Sequence, residues 1–263
     1  MKFDFIKYEK KGHLVYITIN RPDVMNALHP PANQEMDKAF DNFSEDTDAW
    51  VAILSGAGGR AFCAGNDLKY QAEHGIDAIK KGMEKVKGGF GGITARFDCF
   101  KPIIAAITGM SLGGGTEIAL ACDIIIAADN TSFGLPEPRV GLIAGAGGIQ
   151  RLPLRIPYHI AMGYILTGKH IPAIEAKKLG LINEVVPPDE VINTAEKWAA
   201  DILECAPLAV RASKEGALLG QEHPLKELIG KPFPGFATVF QSEDIVEGAK
   251  AFTEKRKPHW EGK

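Results

Sequence analysis

Cysteine is scarce in this chain: Cys63, Cys99, Cys122 and Cys205 are the four in 263 residues. None forms a C-x-x-C pair and no histidine cluster stands near them. That spacing argues against a metal site and against a disulfide framework, so the four are expected to be small buried or half-buried residues. An excess of one charge is also lacking. Thirty basic and 33 acidic residues leave a net charge of −3, which gives no electrostatic reason for a nucleic-acid partner. No apolar run approaches the ~20 residues that cross a bilayer, so no membrane partner is expected. The opening MKFDFIKYEKKGHLVYITINRP has neither an apolar signal core nor Arg/Ser-rich transit character. A cytoplasmic protein, or the mature form of a targeted one, is expected. Nucleotide loops are missing too. SGAGGRAFCAGNDL lacks the G-K-[ST] of a phosphate loop, and GAGGIQ has Gln150 where a dinucleotide loop needs its third glycine.

What is present is an α/β rhythm. Short β-rich runs occupy 13–20, 50–55, 102–108, 123–127 and 181–186, most of them closed by Gly, Pro or Asn/Asp turn signals. Helical patterns fill 31–46, 76–87, 116–122, 149–153, 160–166 and 173–179. The strands before residue 130 are continuous apolar stretches, as in strands covered on both faces. The rhythm is compatible with a spiral of ββα turns. Beyond Pro188 only helical patterns follow, at 189–205, 207–220 and 240–254. The expected division is a core over 1–195 and a helical appendage over 196–263, whose apolar faces must bury on the core or on another subunit. The glycine-dense 87–93 (KGGFGGI) reads as a mobile loop, either a plain linker or a lid and pocket wall.

Two stretches carry chemistry. In PIIAAITGMSLGGGTEIALACDIII a buried strand meets three glycines and then an apolar helix. Uncovered backbone N–H groups at a helix N-terminus suit a developing oxyanion. Glu117 lies in the first turns of that helix among apolar neighbours. A carboxyl there has a raised pKa unless paired, or it merely complements the helix dipole. In NTSFGLPEPRVGLIAGAGGIQ, Glu137 is fixed between Pro136 and Pro138; alone, it would also fit an exposed turn.

Taken together, these segments resemble the crotonase (enoyl-CoA hydratase/isomerase) superfamily. NRPDVMNAL, AFCAGNDL, TGMSLGGGTEIALACDIIIA, FGLPEPRVGLIAGAGGIQRL and the closing FTEKRKPHW match the family's motifs in order along nearly the whole chain. The resemblance implies a crotonase-like ββα spiral core with a helical C-terminal trimerisation segment, in a homotrimer or a hexamer of two trimers. It implies an oxyanion hole from the N–H groups of Asn66 and Gly114. Glu117 and Glu137 would be the catalytic pair, and the Gly145 N–H would position the water. It places CoA along Val24, Ala27, Ala64, Asn66, Asp67 and Leu68, with Phe252 and Lys255 reaching a neighbouring subunit's CoA. The substrate implied is an acyl-CoA thioester, CoA being part of it, with no resident cofactor and no metal.

Both glutamates being present favours hydration of a 2-enoyl-CoA to a 3-hydroxyacyl-CoA, a lyase reaction of fatty acid metabolism. The alternatives are a dehydratase acting on a specialised acyl-CoA (carnitinyl-like or cyclic), an isomerase, a thioester hydrolase, or a non-catalytic or RNA-binding relative. A faint likeness to the carnitinyl-CoA dehydratase branch lies in KGGFGG and in the SED…EG…AF-x-EKR pattern. Ala144, Pro138 and Thr116 depart from the common pattern and are expected beside the acyl pocket, which leaves acyl identity open.

Overall fold

The computed structural model describes residues 3–263. In chain order its strands are β1 (Ile6–Lys11), β2 (Leu14–Ile19), β3 (Val51–Gly56), β4 (Ala61–Cys63), β5 (Ile103–Ile107), β6 (Met110–Leu112), β7 (Ile124–Ala128), β8 (Ser132–Gly134), β9 (His170–Pro172) and β10 (Glu184–Val186). The helices of the core are α1 (Pro30–Glu45), α2 (Leu68–His74), α3 (Ile76–Met83), α4 (Gly114–Ala121), α5 (Gly148–Arg155), α6 (Tyr158–Thr167), α7 (Ala173–Lys178) and α8 (Val191–Leu203). Beyond them come α9 (Pro207–Glu222), α10 (Leu225–Leu228), α11 (Pro234–Gln241) and α12 (Glu243–Glu254).

Two sheets result. The larger runs β1-β2-β3-β5-β7-β10 and the smaller β4-β6-β8-β9. Only the β1/β2 and β8/β9 pairs are antiparallel. Three successive turns of chain, β3–β4, β5–β6 and β7–β8, each place a first strand in the large sheet and a second in the small one, then run into helix. This is the ββα spiral the resemblance implied.

The continuous apolar runs are explained by two covered faces. Ala52, Leu54, Ile103, Ala105, Ile107, Ile125 and Ala127 point inward against Met36, Phe40 and Phe43 of α1. The alternate residues Val51, Ile53, Ile104, Ala106, Ile126 and Ala128 point outward against Val191, Ala195 and Ala199 of α8. Each large side chain so buried contributes about 1.5–3 kcal/mol. Residue 195, where the sequence suggests a division, lies inside α8, and α8 is the outer cover of the large sheet.

Several elements were not legible. All four strands of the small sheet are three residues long, too short to show a period. β1 is rich in lysine and pairs at the sheet edge. The helix expected over 240–254 is two helices, broken at Ser242, whose extended backbone and hydroxyl cap α12 through the Ile245 N–H (3.3 Å). Cys63 and Cys99 are buried and Cys122 is half-buried, but Cys205 is exposed, contrary to expectation.

The glycine-dense segment is also not the mobile loop its composition suggests. Buried Asp37 on α1 accepts the N–H groups of Lys87 (2.9 Å) and Gly88 (2.8 Å) and pairs with Arg96 (2.7 Å). Buried Asn33 accepts the Gly91 N–H at 2.7 Å. These bonds fix a 3-10 turn, Phe90–Gly92, against α1. No helix among the described residues is long and apolar enough to cross a membrane.

Candidate active site

The site begins where β6 turns into α4. Gly113 has φ 55° and ψ −127°, a conformation that only glycine adopts without strain. The turn aims the first amides of α4 outward. Beside it runs the 63–67 loop: a Cβ at Gly65 would lie 2.9 Å from the Gly114 nitrogen. The Asn66 and Gly114 N–H groups donate to no other described residue. The structure therefore brings these two sequence-expected amides onto adjacent backbone, one of them at the positive end of a helix dipole. A side chain at 114 would run into the ring of Phe90, so the pinned 87–92 segment covers the same helix start.

Glu117 lies one turn along α4 and is only 3% exposed. Its Oε1 accepts the Gly148 N–H at 2.8 Å. Burial raises its pKa to about 7, and the Glu137 charge adds to the rise; the amides of Gly148 and Ala146 and the Arg151 guanidinium work against it. Glu137 opens a 3-10 turn, Glu137–Val140, framed by Pro136 and Pro138. Its Oε1 faces Gly113, where a Cβ would sit 3.0 Å away. Its Oε2 is buried without a hydrogen-bond partner among the described residues, and burial raises this carboxyl as well. Two carboxyls with raised pKa thus flank a helix start whose free Gly114 amide lies beside the free Asn66 amide of the neighbouring loop, an arrangement suited to a paired acid and base beside an anion site.

The other expected residues divide. Asn26, at φ 56°, donates to the carbonyls of Ala57 (2.9 Å) and Ala61 (2.7 Å) and accepts the Arg21 N–H (2.9 Å). It holds Val24 and Ala27 beside Ala64, whose N–H reaches Met25 O at 3.1 Å. Leu28 then pairs with Asn66, through Leu28 N–H to Gly65 O and Asp67 N–H to Leu28 O. Asp67 caps α2 through the Tyr70 N–H (3.1 Å) and pairs with Arg21 (3.0 Å). Burial would raise its carboxyl, but these two partners hold it below the usual range. Leu68 is exposed beside it. Five of the residues expected along CoA therefore form one ledge next to Asn66.

Gly145 does not offer its amide, which bonds Ile143 O at 2.8 Å; Gly148 and Ala146 supply the amides on Glu117. Phe252 and Lys255 are exposed at the end of α12. Thr116 is not at a pocket wall: it is 1% exposed and its hydroxyl is turned into the core. A cavity of about 1380 Å³ is lined by Phe90, Leu120, Ala146, Arg151, Trp198 and Leu218 among others; neither glutamate lines it. Phe90, Gly148 and Asp37 were not singled out from the sequence. Only the glycine density around 87–93 and 145–148 hinted at close backbone approach there.

The fold and this pairing of carboxyls with free amides suit acid–base chemistry beside a backbone anion hole. Comparison with known proteins says which. The family model described as "Enoyl-CoA hydratase/isomerase" matches residues 9–263. A carnitinyl-CoA dehydratase of Proteus mirabilis is 41% identical over 257 residues, covering 96% of this chain and 97% of that protein. An (E)-benzylidenesuccinyl-CoA hydratase of Thauera aromatica is 38% identical over 261 residues, covering 98% and 99%. The crystal structure of an enoyl-CoA hydratase from Mycobacterium tuberculosis superposes with a TM-score of 0.90 at 40% identity, covering 98% and 99%. The chain belongs to the enoyl-CoA hydratase/isomerase family and is an enzyme of its hydratase/dehydratase kind.

Proposed function

We propose that this protein adds water reversibly to a 2-enoyl-CoA, giving a 3-hydroxyacyl-CoA. The observation that carries the reading is the pair of carboxyls with raised pKa, Glu117 and Glu137, on either side of the amides of Asn66 and Gly114. The thioester carbonyl accepts both amides, which stabilise the enolate-like charge that develops on its oxygen. Ionised Glu117 takes a proton from water as the water oxygen bonds to C3. Protonated Glu137 gives a proton to C2, and solvent restores both groups. A pKa of about 7 keeps Glu117 exchangeable near neutrality. Gly145, with its N–H bonded to Ile143, has no amide left to hold the water.

CoA lies along Val24, Ala27, Ala64, Asp67 and Leu68, with Phe252 and Lys255 serving a neighbouring copy. The assembly is a homotrimer or a dimer of trimers. Exposed Ile143, Leu154, Leu166 and Phe252 support association, because apolar groups of this size gain from burial between copies. The reaction needs no resident cofactor, and the setting is cytoplasmic fatty acid metabolism. The likeness to the Proteus and Thauera proteins favours a second reading, in which the same site hydrates or dehydrates a more specialised acyl-CoA. Loss of enoyl-thioester absorbance with crotonyl-CoA and a panel of branched and aromatic enoyl-CoAs tests both. Glu117→Gln and Glu137→Gln should each abolish hydration. An unaffected Glu117→Gln enzyme would refute the two-carboxyl reading, and a wild type that only moves the double bond would indicate one-base isomerisation.

A further inference from the structure

The carboxyls come from separate pieces of chain, and one hydroxyl ties those pieces together. Thr116 immediately precedes Glu117 on α4 and is 1% exposed. Its Oγ1 accepts the Gly134 N–H at 3.0 Å. Its own proton goes to one of two carbonyls within reach, Ser111 O or Gly134 O (2.9 Å). Gly134 ends β8, three residues before Glu137. The same Gly134 carbonyl accepts the Gly113 N–H at 2.8 Å. Register agrees, since Leu112 of β6 faces Gly134 of β8. The strand that delivers Glu137 therefore hangs from the helix that carries Gly114 and Glu117. No hydrogen bond from another described residue holds the Glu137 carboxyl there, and its Oε2 is buried without a partner among them.

We propose that Thr116 is a positioning residue, whose hydroxyl sets Glu137 against the anion hole and Glu117. The inference rests on the hydratase reading for its catalytic consequence, though not for its geometry. A methyl in place of the hydroxyl strands the buried Gly134 N–H and lets β8 shift. Misplacement by about 1 Å costs on the order of 100-fold in rate.

Thr116→Val and Thr116→Ser are compared with the wild-type protein in two assays. The first is enoyl-CoA hydration. Thr116→Val is expected to lose about 10- to 100-fold in kcat with KM little changed, and Thr116→Ser to restore most of it. The second is the near-ultraviolet band of the enolate of bound acetoacetyl-CoA, which requires the anion hole and a base at the α-carbon but no water addition. The Val variant should show a weaker band at saturation and the Ser variant a restored one. Equal kcat and equal band in Thr116→Val overturn the inference. So does a Val defect that Ser fails to repair, or one that appears only as a raised KM. If the wild type forms the band but hydrates no thioester, the hydratase reading falls and Thr116 is judged on the band. If Thr116→Val does not fold, Thr116→Ser and Thr116→Ala decide, the first keeping and the second losing the band.

Discussion

Replacing Glu117 by glutamine removes a charge that the fold holds at a cost, and that cost has a definite pH dependence. Burial raises this carboxyl from 4.5 to about 7. At about 1.4 kcal/mol per unit, ionisation in the folded chain costs about 3 kcal/mol more than in the unfolded chain. The sign follows from a folded pKa above the unfolded one. Below about pH 4.5 both states are protonated and nothing is lost. Between about 4.5 and 7 the unfolded chain ionises first and stability falls; above about 7 the full cost persists. Glutamine keeps an oxygen that accepts the Gly148 N–H and carries no charge. Denaturant unfolding of both proteins at about pH 5 and about pH 8 should therefore show Glu117→Gln gaining about 2 kcal/mol per chain on the wild type over that interval. A difference between the two proteins that stays flat from pH 5 to pH 8 would refute the argument, because Glu117 would then be either solvated or already paired. The acid limb of kcat/KM near pH 7 should belong to the same group.

Other positions give independent tests. Gly113→Ala must place a Cβ at positive φ and against Glu137; kcat should fall by roughly 100-fold, while circular dichroism shows the fold retained. Asp37→Ala strands two N–H groups and half of the Arg96 pairing. It should cost roughly 3 kcal/mol and raise hydrogen exchange in 87–92, which denaturant curves and exchange mass spectrometry would show. Asn26→Ala releases two carbonyls and one N–H at a positive-φ position. A loss of about 2–3 kcal/mol is expected, read as a lower unfolding midpoint, with CoA-thioester affinity weakened because the ledge at Ala64 loosens.

The elements that could be read in advance were those with enough residues to show a period. β3, β5 and β7 declared themselves by four or more consecutive apolar residues, and α1 by its spacing and its paired prolines. The β4, β6, β8 and β9 strands could not, since three residues show no period. Glycine at 87–93 was misleading by composition alone. The same glycines that free a backbone in solution let it fit closely around Asp37 and Asn33, and only the presence of those acceptors opposite decides between the two.

By itself the sequence determined which groups are available: a glycine triplet at a helix start, one glutamate among apolar residues and another locked between prolines. These are local properties, set by backbone sterics and by neighbours along the chain. The tertiary structure decided how those groups meet. It set Gly65 on the Gly114 amide, turned the Gly145 N–H away and gave Glu117 the Gly148 and Ala146 amides instead. It also sent the Thr116 hydroxyl to Gly134 and not to a pocket. The reason is that these contacts, the local Gly145 bond to Ile143 aside, join different turns of the spiral, and the separation between turns is fixed by packed side chains and sheet register, neither of which is written at the positions that touch.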